Sequence, residues 1–461
     1  MADDGDVSNA HAVPTAYPWV LGTFRQGALD PARRSAAGFA RFAGVHRAQV
    51  GRWERGEVQL TQHRAMAYDA VVGAVPGSAM AALELLWRDV HAVGTAALVL
   101  PDDPLDPAGS AVAAGDQLEH VLAPHPLTAM DWWTLADLLA GVPAVVLRDR
   151  DWEELLHRLV SELEFAFGSA YSLRFAAFAR LLGHPRAGLV MTRMADEGLR
   201  DDARHLFSDL ASGLQFVDRP EAVAMLVGQV LEPAHEGALW ASLFTLATCV
   251  RLRGLPAEAR EKVAAACAAY VIAEDQSFRV RRSAAVLVRT LQPARAAGLA
   301  ARTSMTARAH GVAEVLRFGY VLAEGQRRAL MDRCVERLRA DGYLVDAAMR
   351  AVLTRSIGEA DVDLRGNALA LLMLTPQGRT IARAVTEVLV EESRGGSPAP
   401  AYECVTMLFW LATAESVESM LSAADDPRVP DDLRRSLRYA ATTGLAPGRR
   451  DLVALFRSSA D

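Results

Sequence analysis

An all-α protein is what this sequence predicts, and three observations carry the prediction. From Asp131 onward apolar residues recur at helical spacing in runs of roughly ten to twenty, parted by short loops of Gly, Pro or Asp. Alternating strand patterns are scarce. Near the N-terminus, two short apolar patterns flank a glycine between Ser35 and Glu57, which is how a helix-turn-helix is written. The expected architecture is an N-terminal helix-turn-helix domain followed by an α-solenoid.

The elements follow in chain order. Residues 1–17 mix acidic, small and Pro residues without periodicity and predict a flexible tail. Residues 18–90 carry short helical patterns broken by Gly and Pro and form the helix-turn-helix domain. Residues 91–130, with PDDPLDPAGS at their centre, predict a linker or packed loop. Residues 131–461 form an all-helical repeat domain for regulation or assembly. Helices are expected to start near Asp218, Leu255 and Thr375, each with Pro close to the first turn, where its missing N–H costs nothing. A weak pattern recurs as Val280, Arg281, Ala284, Ala285, Val288 and as Leu364, Arg365, Ala368, Leu369, Leu372, with a poorer copy at Leu433, Arg434, Leu437, Ala441. The first two arginines are 84 residues apart, about twice the roughly 40-residue period of HEAT and armadillo repeats. The region therefore weakly resembles HEAT-like repeats, with an irregular helical bundle as the alternative.

Composition excludes several classes. At 461 residues, 51% hydrophobic and 23% charged, the chain has a globular balance. Its longest apolar candidate, Ala238 to Val250, is too short to span a bilayer. The opening Asp3, Asp4 and Asp6 do not resemble a secretory signal, so a cytoplasmic location is expected. Cys249, Cys267, Cys334 and Cys404 show no CxxC spacing and are expected as inert core residues. Nucleotide, acyl-transfer and zinc-protease signatures are missing, so the expectation is a protein that is not an enzyme and uses no cofactor or metal. Glu153, Glu154 and His157 lack a second ligand pair, and His120 and His125 read as surface residues. The aromatics Trp132, Trp133, Phe165, Phe167, Tyr171, Phe175 and Phe178 have the spacing of core residues.

The informative segment is SAAGFARFAGVHRAQVGRWERGE. Ala36, Phe39, Ala40 and Ala43 fall at i, i+3, i+4 and i+7 behind a Ser35 N-cap, and Gly44 supplies the turn. A second helix from about His46 turns Val50 and Trp53 inward, and Gly56 ends it. In Ala40, Gly44, Val45, Val50, Arg52, Trp53, Glu54, Arg55 and Gly56 the segment resembles the lambda repressor-like helix-turn-helix family. Ala36 and Arg34 depart from that pattern.

The resemblance implies base contacts from Arg47, Ala48, Gln49 and Arg52 in the major groove of double-stranded DNA. Arg suits guanine, Gln suits adenine and the Ala methyl suits thymine. Arg55 and Arg41 are expected to hold phosphates, which set register without reading sequence. Between Trp19 and Val75 eight Arg face four acids, a net +4 in a chain totalling -7, so the basic character is local. The expected function is that of a sequence-specific transcriptional regulator acting as a homodimer on a two-fold site, with Ala82 to Val90 or the helical region as the dimer contact. The alternative is an interaction scaffold whose helix-turn-helix serves protein contacts. A peptide, protein or small-molecule effector is left open for the helical region. There Arg279, Arg281, Arg282 and Arg365 either meet a partner's carboxylates or bind loop acids such as Asp275 and Asp361.

Overall fold

The computed structural model describes residues 12–58, 60–88, 99–100, 107–141, 147–166, 168–201, 208–303, 310–394 and 398–443. The expected tail over residues 1–11, most of the segment 91–106, Phe167, and residues 444–461 lie outside the described residues. Among the described residues the regular structure is all-helical apart from a two-residue parallel ladder, Leu60–Thr61 against Val99–Leu100, and one antiparallel bridge between Tyr320 and Glu359. Among the described residues no helix is long and apolar enough to cross a membrane.

Five helices build an N-terminal unit: α1 (Ala12–Gln26), α2 (Ala36–Phe42), α3 (Arg47–Trp53), α4 (Gln62–Val72) and α5 (Ser78–Arg88). Helix α1 begins six residues ahead of the boundary expected at Pro18, with Pro14 tolerated in its first turn. Within 91–130, where the sequence suggests a linker or packed loop, Pro107–Leu122 is a helix, and its Ala114 and Val121 are buried. The three helix starts read from Pro are observed as Pro220–Leu231, Ala257–Ile272 and Gly378–Ser393.

From Ala129 to Thr443 helices pack chiefly on near neighbours in sequence, around one core that runs from Ala114 to Leu316 with Ala360 added, and a second whose residues span Leu322 to Ala441. The recurring arginines meet unlike partners. Arg281 donates to the Val271 carbonyl at 3.0 Å, Arg365 pairs with Glu403 at 3.1 Å, and Arg434 pairs with Asp431. The three copies are therefore not equivalent, and the buried guanidinium groups of Arg281 and Arg365 are engaged by the Val271 carbonyl and Glu403 and not by Asp275 or Asp361.

One helix, Val362–Leu374, departs from neighbour packing. Its residues Ala368 to Leu372 are buried on every side, the mark of a helix enclosed by others rather than laid on a surface. Leu369 and Leu372 belong to the C-terminal core, whereas Ala370, Leu371 and Leu374 sit in the core of the N-terminal unit beside Trp133, Leu173 and Ala176. Helix α5 is thereby wedged between Gly168–Leu182 and Val362–Leu374. Its Ala82, Leu83 and Leu85 are buried within the chain and so are not open to a second copy, while Asp89 and Val90 of the expected dimer contact lie outside the described residues. The fit is fixed by charge as well: Arg180 meets Glu84 of α5 at 3.2 Å and Asp137 at 2.5 Å, with its guanidinium 4.2 Å from the Trp133 ring.

Of the aromatic group, Trp132, Trp133, Phe175 and Phe178 are buried, but Phe165 is 66% exposed at the last position of its helix, where the core face has ended. All four cysteines are free and buried, and burial pushes the thiols of Cys249 and Cys334 up to about 12, which keeps them unreactive.

Candidate nucleic-acid interface

Helix α2 starts where Ser35 accepts the Gly38 N–H at 3.0 Å. Gly38 also faces the preceding 3-10 turn, where a Cβ would stand 1.8 Å from the Ala32 carbonyl oxygen, so no larger residue fits there. Helix α2 ends as Val45 N–H returns to the Ala40 carbonyl at 2.9 Å and Gly44 turns the chain at φ +65°, a left-handed conformation in which a Cβ is strained. His46 then caps α3 through Nδ1, which accepts the Ala48 N–H at 3.3 Å. Arg64 of α4 braces this corner by donating to the Ala43 carbonyl at 2.6 Å.

Helix α3 has two unlike faces. Val50 and Trp53 are buried in the core with Phe24, Phe39 and Tyr68. Arg47, Ala48 and Arg52 are exposed, Gln49 is half-buried, and Arg41 of α2 and Arg55 beyond α3 are exposed as well. The six sequence candidates thus lie outside the packed face.

The orientation of α3 is held by a contact that sequence reasoning missed. Glu54 accepts two hydrogen bonds from Arg25 of α1, at 2.6 Å and 2.8 Å, with both side chains about one-seventh exposed. Those bonds raise the Arg25 pKa above its ordinary value. Arg25 also donates to the Arg34 carbonyl, and Arg34, one of the two departures from the family pattern, reaches back to the Ala28 carbonyl at 3.1 Å. No local motif announces a pairing across 29 residues; the available signals were the charge of Arg25 on a mostly apolar helix and the charge of Glu54 beside Trp53.

No protein-family model, curated protein or solved structure matches this chain.

The arginines of the unit divide by partner. Arg25 is bound to Glu54, Arg33 pairs with Asp30 at 3.1 Å and lies 4.4 Å from the Phe42 ring, and Arg34 and Arg64 serve backbone carbonyls. Arg55 is held by Glu57 at 2.5 Å and 3.0 Å on the exposed surface, an arrangement that lowers the Glu57 pKa. Arg41, Arg47 and Arg52 make no hydrogen bond or ion pair among the described residues. Three solvated guanidinium groups around one short helix form a cationic face able to receive phosphates or base edges. The same residues offer no acid, base and nucleophile in contact. Among the described residues no group of three or more His, Cys, Asp or Glu could hold a metal ion. His120 is exposed and His125 half-buried, with their rings 4.4 Å apart.

Proposed function

We propose that the chain is a sequence-specific DNA-binding transcriptional regulator in which α2 and α3 act as a lambda repressor-like helix-turn-helix. Helix α3 enters the major groove. Arg47, Ala48, Gln49 and Arg52 read base edges, while Arg41 and Arg55 hold phosphates, Arg55 once it has left Glu57. The observation that carries this reading is the division of α3: an inner face sealed by Val50 and Trp53 and braced by Arg25–Glu54, and an outer face whose arginines are unengaged.

The helical body, read as a solenoid of HEAT-like type, senses an effector or mediates oligomerisation. One module of this size makes few base contacts, so two copies on a two-fold site supply the affinity. Ala82, Leu83 and Leu85 of α5 are covered within the chain, so the reading puts the dimer contact in the helical body. The test is selection from a random duplex pool by the full-length protein at moderate salt, with light scattering of the recovered complex. Enrichment of a pseudo-palindromic site bound by two chains supports the reading. Recovery of a random pool, or of no DNA at low salt, refutes it.

A further inference from the structure

Pro376 precedes helix Gly378–Ser393 and is pressed against the end of α1, where a Cβ at Gly27 would stand 2.2 Å from Pro376 Cγ. Glycine at position 27 thus lets the helical body close directly onto the N-terminal unit. The next residue, Ala28, is buried, and its carbonyl accepts Arg34 Nε at 3.1 Å. The Arg34 carbonyl in turn accepts from Arg25, the partner of Glu54 at the end of α3. A chain of contacts therefore runs from α3 through Arg25, Arg34 and Gly27 to the start of Gly378–Ser393.

The outer face of that helix start is cationic. Arg379 and Arg383 lie one turn apart and are both exposed, while Thr380, Ile381, Ala382 and Ala384 between and beside them are buried. Arg379 makes no hydrogen bond or ion pair among the described residues. Arg383 reaches Asp341 only at 3.5 Å, and the same carboxylate accepts the Thr380 hydroxyl at 2.7 Å and stands 3.8 Å from Arg337. Glu387, one turn beyond Arg383, is taken by Arg337 at 3.1 Å. Arg34 is exposed as well and has no carboxylate partner among the described residues. Tyr343, which packs on the C-terminal core two residues after Asp341, feels all three cations. Burial raises its pKa and Asp341 adds to the rise, whereas Arg34, Arg379 and Arg383 act against it.

We infer that Arg34, Arg379 and Arg383 form a second cationic patch, contributed mainly by the helical body, that holds the phosphate backbone of the DNA lying beside the bases α3 reads. The choice of DNA as partner rests on the function proposed above. It follows from continuity: Arg34 and Arg41, both exposed, stand at the two ends of α2, so the patch extends the cationic face of α2 and α3 onto the body. Guanidinium groups on a packed helix hold phosphates without reading sequence, so the body adds affinity and register and leaves base preference to α3. A chain of net charge -7 is repelled by DNA over much of its surface, and cations of the body next to α3 offset that repulsion where the duplex passes.

The test is titration of the full chain over a range of salt onto the duplex recovered by selection and a scrambled duplex, each extended by about one helical turn (~10 bp) on both sides. Wild type is compared with the double variants Arg379→Gln, Arg383→Gln and Arg379→Lys, Arg383→Lys. A control, Lys262→Gln with Arg295→Gln, removes the same charge from ion pairs with Glu258 and Glu261 on other helices. The glutamine variant is expected to bind both duplexes about ten-fold more weakly at ~0.1 M salt, with a log–log salt slope shallower by about 1–2 and an unchanged ratio between the duplexes. The lysine variant is expected to keep most of the affinity and slope, since it keeps the charge, and the control to match wild type. Wild-type affinity and slope in the glutamine variant overturn the patch. So do a lysine variant as weak as the glutamine one, an equal loss in the control, or a loss confined to the selected duplex. Failure of wild type to bind either duplex overturns the α3 reading and takes the patch's partner with it, whereas binding that the glutamine variant leaves unaltered overturns the patch alone.

Discussion

Replacing Glu54 with Gln removes a charge from the brace of α3 while keeping its shape. The Arg25–Glu54 pair is bidentate, and its side chains are 13% and 15% exposed. Exposed pairs contribute about 0–1 kcal/mol, whereas removing one member of a fully buried pair costs about 3–5 kcal/mol. This pair lies closer to the second limit, but water reaches its edge and Arg25 keeps a hydrogen bond to the Arg34 carbonyl, so about 2–3 kcal/mol is expected. If α3 opens locally from α1, amide exchange at Val50 to Glu54 should accelerate by about 30- to 150-fold, the same free energy expressed as an equilibrium constant. Hydrogen exchange on the full chain reads this directly, and an Arg25→Met, Glu54→Gln cycle isolates the pairwise part. A cost under about 1 kcal/mol, with exchange in α3 unchanged, would show that Val50 and Trp53 hold the helix alone and that the brace is only a surface pair.

Other outcomes follow from the packing. Leu371→Ala, at 2% exposure in the core around α5, should cost about 2–5 kcal/mol and raise exchange in α1 and α5 as well as in its own helix; a loss confined to the C-terminal helices would contradict the shared core. A fragment ending at Val90 lacks Trp133, Leu173, Ala370 and Leu371 and should show poorly dispersed NMR spectra, whereas a well-folded fragment would show that α5 needs no partner. Asp69 accepts the N–H groups of Gly77 and Ala79 at 2.7 Å each, and burial raises its pKa from 3.8 to about 7. In that window the folded chain holds a proton that the unfolded chain has lost, so this group's contribution to stability is full below pH 3.8 and is lost as pH rises through about 7. Denaturant titrations should therefore find Asp69→Asn better tolerated, relative to wild type, with rising pH across that range; a flat difference would mean Asp69 is ionised throughout.

Much of the helical character was legible because it is local. Ser35, Gly44 and Gly56 mark caps and turns, and the i, i+3, i+4 spacing of Phe39, Ala40 and Ala43 fixed which face of α2 is inside. The outward direction of Arg47, Ala48 and Arg52 followed from the inward direction of Val50. What the sequence did not disclose depends on distant partners. Leu83 and Leu85 read equally well as a dimer face or an internal one, and only Leu173, Ala370 and Leu371, far along the chain, decide between them. Glu84 is buried against Arg180, 96 residues on, a pairing no local pattern announces. Arg281 and Arg365 read as meeting either a partner or loop acids, and their actual acceptors, the Val271 carbonyl and Glu403, were missed because periodicity gives the face of a helix and not the identity of what covers it. Gly38 carries no signal of its close contact, since glycine in a helix is equally compatible with open space.

The central claim is that the outer face of α3 reads base pairs, and it is tested most directly by titrating the full chain and its Arg47→Ala, Arg52→Ala and Arg41→Ala variants onto a selected duplex and a scrambled one over a range of salt. The account predicts that Arg52→Ala loses about 1–3 kcal/mol on the selected site and relaxes preference at one base position. It predicts the same class of loss for Arg47→Ala, whereas Arg41→Ala weakens both duplexes alike and shallows the salt dependence. Binding of the selected duplex by Arg47→Ala and Arg52→Ala with wild-type affinity would contradict it.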